Sequence, residues 1–293
     1  MIFLSAYALK SAYGTDILSQ APYLQQHSLS LNLTQTLKPT FDGTVKQLEL
    51  RILSSATNED EKTVFAAIRG SAPMVDWLIN FNGEDVDAPF PSSDPGDAHN
   101  TIRAHRGFLG VAEKMEPLLT RAIRDMLSGG ENLVITGHSA GGGVAALLFL
   151  HCMARKTFGD TKISCVTFAA PPVVSRNLNP GTLPPDSTFL FIINENDPVP
   201  RADRSYIMSF ADLYAAYKAD AAALNEWRPP VPRLHVPGDS KIVILRPRQQ
   251  CEEMRVNAHG IEIDEFEKTV ALDAEAHKMA WYLDGLRVWD ENR

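Results

Sequence analysis

The segment that most constrains the fold is an apolar run, a glycine-rich turn and a second apolar run, over residues 131–156. Its first part reads ENLVITGHSAGGG. The stretch Asn132–Thr136 is short and apolar and ends in β-branched residues, as buried strands are. The run VAALLFLHCMA that follows the glycines is nearly all apolar, as a helix packed against a sheet is. We therefore predict a strand, a sharp turn and a buried helix, which together form one α/β unit.

The same alternation of strand-like and helical patterns extends along the chain. Helical patterns cover Val111–Leu127 and Gly143–Lys156. The other strand-like runs are Val45–Leu53, Thr63–Ile68, Ile163–Phe168, Thr188–Ile193 and Lys241–Leu245. Strands that alternate with helices predict a mostly parallel central sheet flanked by helices.

Three segments interrupt this alternation: Phe81–Asn100, Pro171–Asp186 and Arg201–Gly238. None has the composition of a linker, so we expect a single domain over residues 1–293. The third segment is an insertion, at 201–238, with a long helix before the last strands. Its apolar residues at helical spacing predict packing onto the domain, with a cap over the active site or a dimer contact as alternatives. They are Phe210, Leu213, Tyr214, Tyr217, Ala221 and Leu224.

Composition and charge narrow the classes of function. The 293 residues are 44% hydrophobic and 22% charged, with a net charge of −8. This acidic balance disfavours nucleic acids and anionic membranes as partners, because both require clustered Lys and Arg. The sequence is compatible with a homo-oligomer.

The N-terminus and the cysteines bear on the compartment. The apolar stretch in MIFLSAYALKSAYGTD is interrupted by Lys10 and lacks a preceding basic region, so we interpret it as a helix of the mature protein rather than a secretory signal. No run approaches transmembrane length, and we expect a cytoplasmic protein. The three cysteines, Cys152, Cys165 and Cys251, have no metal-ligand spacing, so we expect no metal and no cofactor.

Ser139 is the candidate nucleophile. It stands in the G-x-S-x-G pattern between Gly137 and Gly141, with a strand before it and a helix after it. That context is typical of the nucleophile elbow, in which a strained turn lifts the serine above the sheet at a helix N-terminus. The alternative is a glycine-rich turn whose serine only caps the helix.

A carboxylate and a histidine are expected later in the chain, because in this fold the order is Ser, Asp or Glu, then His. Asp197 follows the strand-like run Thr188–Ile193 in the segment NENDPVPR, with Glu195 and Asp203 as competitors. The candidate base is His277, which leads into the amphipathic segment KMAWYLDGL.

Two other histidines remain open as the base. His259 precedes a glycine in NAHG, which favours a turn, and His235 sits among prolines in PRLHVPG.

With these residues in view, the chain resembles the class 3 lipases, the fungal-lipase-like branch of the α/β hydrolases. The resemblance rests on five segments that occur in the family's order, together with a terminal histidine helix over 274–282. The five are AAIRGSAPMVDW (66–77), AHRGFL (104–109), VITGHSAGG (134–142), VTFAAPPV (166–173) and NENDPVPR (194–201). The resemblance implies an α/β-hydrolase fold and a serine hydrolase that acts on carboxylic esters.

The resemblance also implies a role for the residues around the serine. Ser71 takes the oxyanion-hole position and Ala140 supplies the second backbone N–H. Residues 71–100 take the position of a lid, and its first part, Ala72–Phe81, is apolar enough to cover an acyl pocket. The candidates for lining that pocket are Met74, Trp77, Leu78 and His138.

The expected function is therefore a lipase or esterase on acylglycerols or small lipophilic esters. An acyltransferase or an esterase for one specialised metabolite would use the same three residues. A hydrolase-like scaffold without activity is the alternative from a different class.

Overall fold

The computed structural model describes residues 1–14, 21–40, 46–55, 62–70, 84–90, 101–127, 131–176, 187–219, 227–237, 241–250 and 253–291. Within these ranges the strands are β1 Leu29–Leu37, β2 Leu48–Ser55, β3 Thr63–Ile68, β4 Asp85–Asp87, β5 Arg103–His105, β6 Asn132–His138, β7 Lys162–Phe168, β8 Phe189–Asn194, β9 Lys241–Gln250 and β10 Glu253–Glu262. The α-helices are α1 Ile2–Ala12, α2 Pro22–Gln26, α3 Arg106–Ile123, α4 Ala140–Arg155, α5 Arg204–Ala219, α6 Ile263–Phe266 and α7 Met279–Glu291. Single 3-10 turns lie at Val199–Arg201 and Ala274–His277.

The central feature is an eight-stranded sheet in the order β1-β2-β3-β6-β7-β8-β9-β10. The five strands β3, β6, β7, β8 and β9 run parallel to one another. Antiparallel pairing adds β2 and β1 at one edge and β10 at the other. The carboxyl ends of the parallel strands therefore meet at one edge of the sheet, where α/β proteins place their functional groups.

Helices cover both faces of this sheet. Alternate side chains of β3 and β6 point to opposite faces: Val64 and Ile135 belong to a core with α3 and α4, whereas Phe65 and Val134 belong to a core with α1 and α7. Because both faces are buried, the parallel strands have nearly continuous apolar sequences. This arrangement confirms the predicted α/β class with a mostly parallel sheet flanked by helices.

The N-terminal segment forms helix α1, as predicted. Ala6, Ala8 and Leu9 are fully buried, and the helix packs against β3, β6 and the C-terminal helix α7. Of the helices in the described residues, none is long and apolar enough to cross a membrane.

The structure departs from the sequence prediction at three places. β1 was not predicted, because most of its side chains are exposed and give no apolar pattern. The NAHG segment, predicted as a turn, lies inside β10, where His259 pairs with Ile244. The short strand Asp85–Asp87 lies in Phe81–Asn100, a segment for which no strand was predicted, and pairs with β5.

The predicted packing of the helical insertion is wrong for half of the apolar stripe that the structure describes. Tyr214 and Tyr217 on α5 are 61% and 46% exposed. Phe210 instead stacks on Trp227, at 5.1 Å between ring centroids, and contacts Tyr206. The aromatic contacts anchor the first half of α5, and the side chains Tyr214–Lys218 of its second half are exposed. Ala221 and Leu224 lie outside the described residues.

Candidate active site

The candidate nucleophile lies at the turn between β6 and α4. Ser139 has φ 59° and ψ −133°, a conformation that side-chain-bearing residues rarely adopt and that is typical of functional turns. Its backbone N–H donates to the carbonyl of Phe168 at the end of β7 (3.0 Å), which fixes the turn to the neighbouring strand.

The two glycines of the motif allow this turn to pack closely. A Cβ on Gly137 would overlap the carbonyl of Gly141, and a Cβ on Gly141 would overlap the carbonyl of Ile68. Both obstacles are backbone atoms, which a side-chain movement does not relieve. Glycine is therefore required at both positions for helix α4 to begin directly behind Ser139.

His277 approaches the serine from the 3-10 turn before α7. Its Nε2 is 2.9 Å from Ser139 Oγ. The turn is tied to the end of β8, because the Asp273 N–H donates to the Asn196 carbonyl (3.0 Å) and the Asn194 side-chain amide donates to the Ala276 carbonyl (2.9 Å). These two hydrogen bonds fix the backbone of the 3-10 turn, and that turn positions the imidazole of His277.

Asp197 follows β8 and is fully buried. Both of its carboxylate oxygens are 3.1 Å from His277 Nδ1. The Val199 N–H donates to Oδ1 (2.9 Å) and the Tyr282 hydroxyl donates to Oδ2 (2.7 Å). These donors satisfy a carboxylate that has no access to water, so its charge is stabilised inside the protein.

Tyr282, on α7, links the carboxylate to the strand before it. Its hydroxyl oxygen accepts from the Asn194 N–H (2.9 Å) while its proton goes to Asp197. Burial, and then the charge of Asp197, raise the pKa of Tyr282 well above its ordinary value, so the hydroxyl keeps its proton and remains a donor.

His138, predicted as a pocket-lining residue, is 5% exposed and has partners on both ring nitrogens. Nδ1 is 2.9 Å from the Tyr13 hydroxyl and Nε2 is 2.8 Å from the His277 carbonyl oxygen. Its ring also stacks on that of His277, with 4.9 Å between centroids. Burial, and then the neighbouring His277, lower the pKa of His138 to about 3, so its imidazole is neutral.

The alternative acids and bases have other partners. His235 forms a short contact with Glu267, and its backbone pairs with Val174. Asp203 accepts from the Ser205 N–H (2.9 Å) and the Leu234 N–H (3.2 Å), and Glu195 pairs with Arg246. The structure thus brings Asp197 and His277, and not these residues, to Ser139.

Only part of the predicted oxyanion site is described. Ala140 is the first residue of α4, where backbone N–H groups have no helical acceptor. Gly70 lies against the serine, because a Cβ added to it would come within 3.2 Å of Ser139 Cβ. Ser71, the pocket candidates Met74, Trp77 and Leu78, and most of the predicted lid lie outside the described residues.

The described residues contain no group of three His, Cys, Asp or Glu side chains that would hold a metal ion. Cys152 and Cys165 are buried, and burial raises the pKa of the Cys152 thiol to about 12. Both thiols therefore stay protonated and unreactive at neutral pH.

A hydroxyl in contact with an imidazole, itself held by a buried carboxylate, is the arrangement that activates a serine for nucleophilic attack. Together with a strained strand-to-helix turn at the carboxyl edge of a parallel sheet, it defines the α/β-hydrolase class. Within that class, residues 65–206 match the family model of the class 3 lipases. The matched segment runs from β3 to the start of α5 and includes Ser139 and Asp197.

Solved structures of fungal lipases share the fold. Rhizomucor miehei triacylglyceride lipase is 15% identical with a TM-score of 0.56, and the match covers 94% of this chain and 90% of that one. The lipase from Rhizopus microsporus var. chinensis is 16% identical with a TM-score of 0.55, with 94% and 83% covered. A mutant of MDLA from Penicillium cyclopium is 17% identical with a TM-score of 0.53, with 94% and 92% covered. No curated protein sequence matches this chain.

Three residues of the site were missed from the sequence: Tyr13, Asn194 and Tyr282. Asn194 and Tyr282 lie in segments that carried the family resemblance, so a pattern was available for them. Tyr13 lies in the N-terminal segment, 126 positions before Ser139 in the sequence, and no local pattern indicates its contact with His138.

Proposed function

We propose that this protein is a serine hydrolase that cleaves carboxylic esters, with Ser139 as nucleophile, His277 as general base and Asp197 as the carboxylate that orients the base. The observation that carries the proposal is the continuous contact from Ser139 Oγ to His277 Nε2 (2.9 Å) and from His277 Nδ1 to Asp197 (3.1 Å). The three side chains come from three separate loops at one edge of the sheet, so the fold itself assembles them.

In the acylation step, Ser139 Oγ attacks the carbonyl carbon of the ester while its proton passes to His277 Nε2. The carbonyl oxygen becomes an oxyanion, for which the Ala140 N–H and the predicted Ser71 N–H are the donors. The tetrahedral intermediate then expels the alkoxide, which takes the proton back from His277. The products are an acyl group on Ser139 and a free alcohol, and Asp197 stabilises the imidazolium that forms in between.

Deacylation repeats these steps with water as the nucleophile. His277 removes a proton from water, the hydroxide attacks the acyl carbonyl carbon, and the carboxylic acid leaves as Ser139 Oγ recovers its proton. One ester and one water thus give one acid and one alcohol.

The substrates we propose are acylglycerols or small lipophilic esters. The match of residues 65–206 to the family model of the class 3 lipases supports a carboxylic ester. Among the structures with the same fold is a triacylglycerol lipase whose catalytic centre is a serine protease triad, with 16% identity and a TM-score of 0.53. At 16% identity the two proteins share a fold, which does not specify the substrate. The choice among esters is therefore left to the experiment below.

The test is hydrolysis of p-nitrophenyl esters from acetate to palmitate by the wild type, Ser139→Ala, His277→Ala and, as a control, His259→Gln. We expect Ser139→Ala and His277→Ala to lose turnover by at least about a thousandfold. His259 lies in β10 and pairs with Ile244, so its variant should retain wild-type turnover.

A serine-reactive phosphonate gives a readout that does not depend on the choice of ester. It should label the wild type and not Ser139→Ala. A wild-type protein that neither labels nor turns over any ester would contradict the proposal. Full activity in His277→Ala would contradict the assignment of the base.

A further inference from the structure

A chain of hydrogen bonds runs from helix α1 to the candidate base. The Tyr13 hydroxyl is 2.9 Å from His138 Nδ1, and His138 Nε2 is 2.8 Å from the carbonyl oxygen of His277. The same hydroxyl is 3.1 Å from the Gly70 N–H. Tyr13, directly after α1, thus contacts the residue before Ser139 and the residue before Ser71.

The chemistry of these groups fixes the position of the proton in each of these three hydrogen bonds. A carbonyl oxygen only accepts, so His138 Nε2 carries the proton and donates to His277. The neutral ring then has an acceptor at Nδ1, which takes the proton of the Tyr13 hydroxyl. The hydroxyl oxygen in turn accepts from the Gly70 N–H. One tautomer of His138 therefore satisfies all three contacts at once.

The side chains of Tyr13 and His138 are closely packed and have little room to move. His138 is 5% exposed, and its ring packs between those of Tyr13, His277 and Tyr282. A Cβ on Gly70 would come within 2.8 Å of both the Tyr13 hydroxyl and the His138 carbonyl. The Arg69 guanidinium lies over the Tyr13 ring, 5.1 Å from its centroid. The hydroxyl is thus fixed by its own ring contacts and by the groups that it bonds.

We propose that Tyr13 is a positioning residue for ester cleavage, acting through His138 on the backbone of His277 and through Gly70 on the chain that enters the predicted oxyanion position. The proposal rests on the proposed function. It assigns to the N-terminal helix, which precedes the family-matching segment, a part in holding the reacting groups. The Tyr13 hydroxyl bonds to His138 and Gly70, and it therefore acts on the serine and on the base through these residues.

The expected effect is on the rate of the chemical step. Displacement of reacting groups by about 1 Å can cost about a hundredfold in rate, because the serine, base and oxyanion donors must coincide. Loss of the Tyr13 hydroxyl removes the donor to His138 and the acceptor of Gly70 but leaves the ring in place. We expect Tyr13→Phe to lower kcat at least about tenfold, with KM unchanged within about twofold.

The control is Tyr23→Phe, which removes a hydroxyl on the neighbouring helix α2. The ring of Tyr23 stacks on Phe3, at 4.8 Å, and lies tilted against His27, at 4.5 Å between ring centroids, and both contacts remain in the variant. Its kcat and its rate of phosphonate labelling should equal those of the wild type. Unfolding curves of both variants show whether a lower rate reflects a smaller folded fraction.

A double-mutant cycle separates positioning from general loss of structure. His138→Leu breaks the chain at its centre, whereas His138→Gln keeps an amide donor and acceptor at the end of the side chain. We expect His138→Gln to retain more activity than His138→Leu. In the His138→Leu background, Tyr13→Phe should add a smaller loss than in the wild type, because its route to His277 is already cut and only the contact with Gly70 remains.

The outcomes are distinct. Equal labelling rates and equal kcat for Tyr13→Phe and the wild type would overturn this proposal and leave the proposed function intact. So would full additivity in the cycle, since independent effects exclude a shared route. A wild type without reaction at Ser139 would instead overturn the proposed function, and this one with it. If Tyr13→Phe is unfolded, the comparison of His138→Gln with His138→Leu decides: equal kcat overturns the proposal.

Discussion

The buried polar side chains around Ser139 have hydrogen-bond partners inside the protein, and Tyr282 and His138 are each held in one protonation state by their surroundings. Asp197 is satisfied by two donors besides His277, and Tyr282 is kept protonated by burial beside that carboxylate. His138 is kept neutral by burial and by its neighbour His277. Because each buried group has partners for only one state, a change of protonation or the loss of one atom is costly here.

The neutral state of His138 predicts a pH dependence of stability. The folded protein protonates His138 only near pH 3, whereas the unfolded chain does so near the ordinary pKa of 6.5. Between these values the unfolded state binds more protons, so the free energy of unfolding falls as pH is lowered, by about 1.4 kcal/mol per pH unit from this residue. Above about pH 6.5 its contribution is constant.

The measurement is denaturant unfolding of the wild type and His138→Gln at several pH values from about 4 to 7. Glutamine does not titrate, so the variant should show a shallower pH dependence in this window. The groups near His138 are Tyr13, His277, Tyr282 and Lys10, and they are present in both proteins. Identical slopes would show that His138 is protonated equally in the folded and unfolded states.

Tyr282→Phe tests the support of Asp197. The variant leaves the Asn194 N–H without its acceptor and Asp197 without one donor, both in the interior. We expect the free energy of unfolding to fall by about 1–3 kcal/mol and turnover to fall with it. Tyr217→Phe, at an exposed position on α5, is the matched control. Unchanged stability and turnover in Tyr282→Phe would show that Tyr282 does not support Asp197.

At the scale of elements, the turn from β6 to α4 is the feature that the sequence specified most completely. Its strand, glycines and helix are adjacent in sequence, and the local pattern is enough to identify them. The edges of the sheet were different. β1 has largely exposed side chains, and β10 is defined by its pairing with β9 rather than by an apolar run of its own. A strand that is stabilised mainly by pairing with its neighbour has little apolar pattern of its own, so it is hard to predict from the sequence.

The glycine requirement in this turn is testable with a matched pair. Gly137→Ala places a Cβ into the Gly141 carbonyl, so we expect a loss of at least about 3 kcal/mol in the free energy of unfolding, or no folded protein. Gly110→Ala, inside helix α3, meets no atom within 4 Å. It should gain about 0.5–1 kcal/mol, because alanine is the better helix former.

Circular dichroism during denaturant unfolding measures both variants under the same conditions. A stable Gly137→Ala protein would mean that β6 and α4 separate easily enough to relieve the overlap with the Gly141 carbonyl.

For the whole molecule, the site depends on parts of the chain that are distant in sequence. The order Ser139, Asp197, His277 was predictable, because it follows from the order of the strands. The partner Tyr13 was not, because it directly follows helix α1, which meets α7 on one face of the sheet. The family model spans residues 65–206 and does not include α1. Tertiary packing, which no local period encodes, supplies these contacts.

The last prediction concerns the N-terminal helix as a part of the core. Leu9 on α1 is fully buried among residues of the sheet and α7, whereas Leu118 on α3 is 40% exposed. Leu9→Ala should lower the free energy of unfolding by about 2–5 kcal/mol, and Leu118→Ala by no more than about 0.5 kcal/mol. The substitution and the helical setting are the same, so the difference reports burial alone. Denaturant unfolding measures both, and equal losses would show that α1 is not part of the cooperative core.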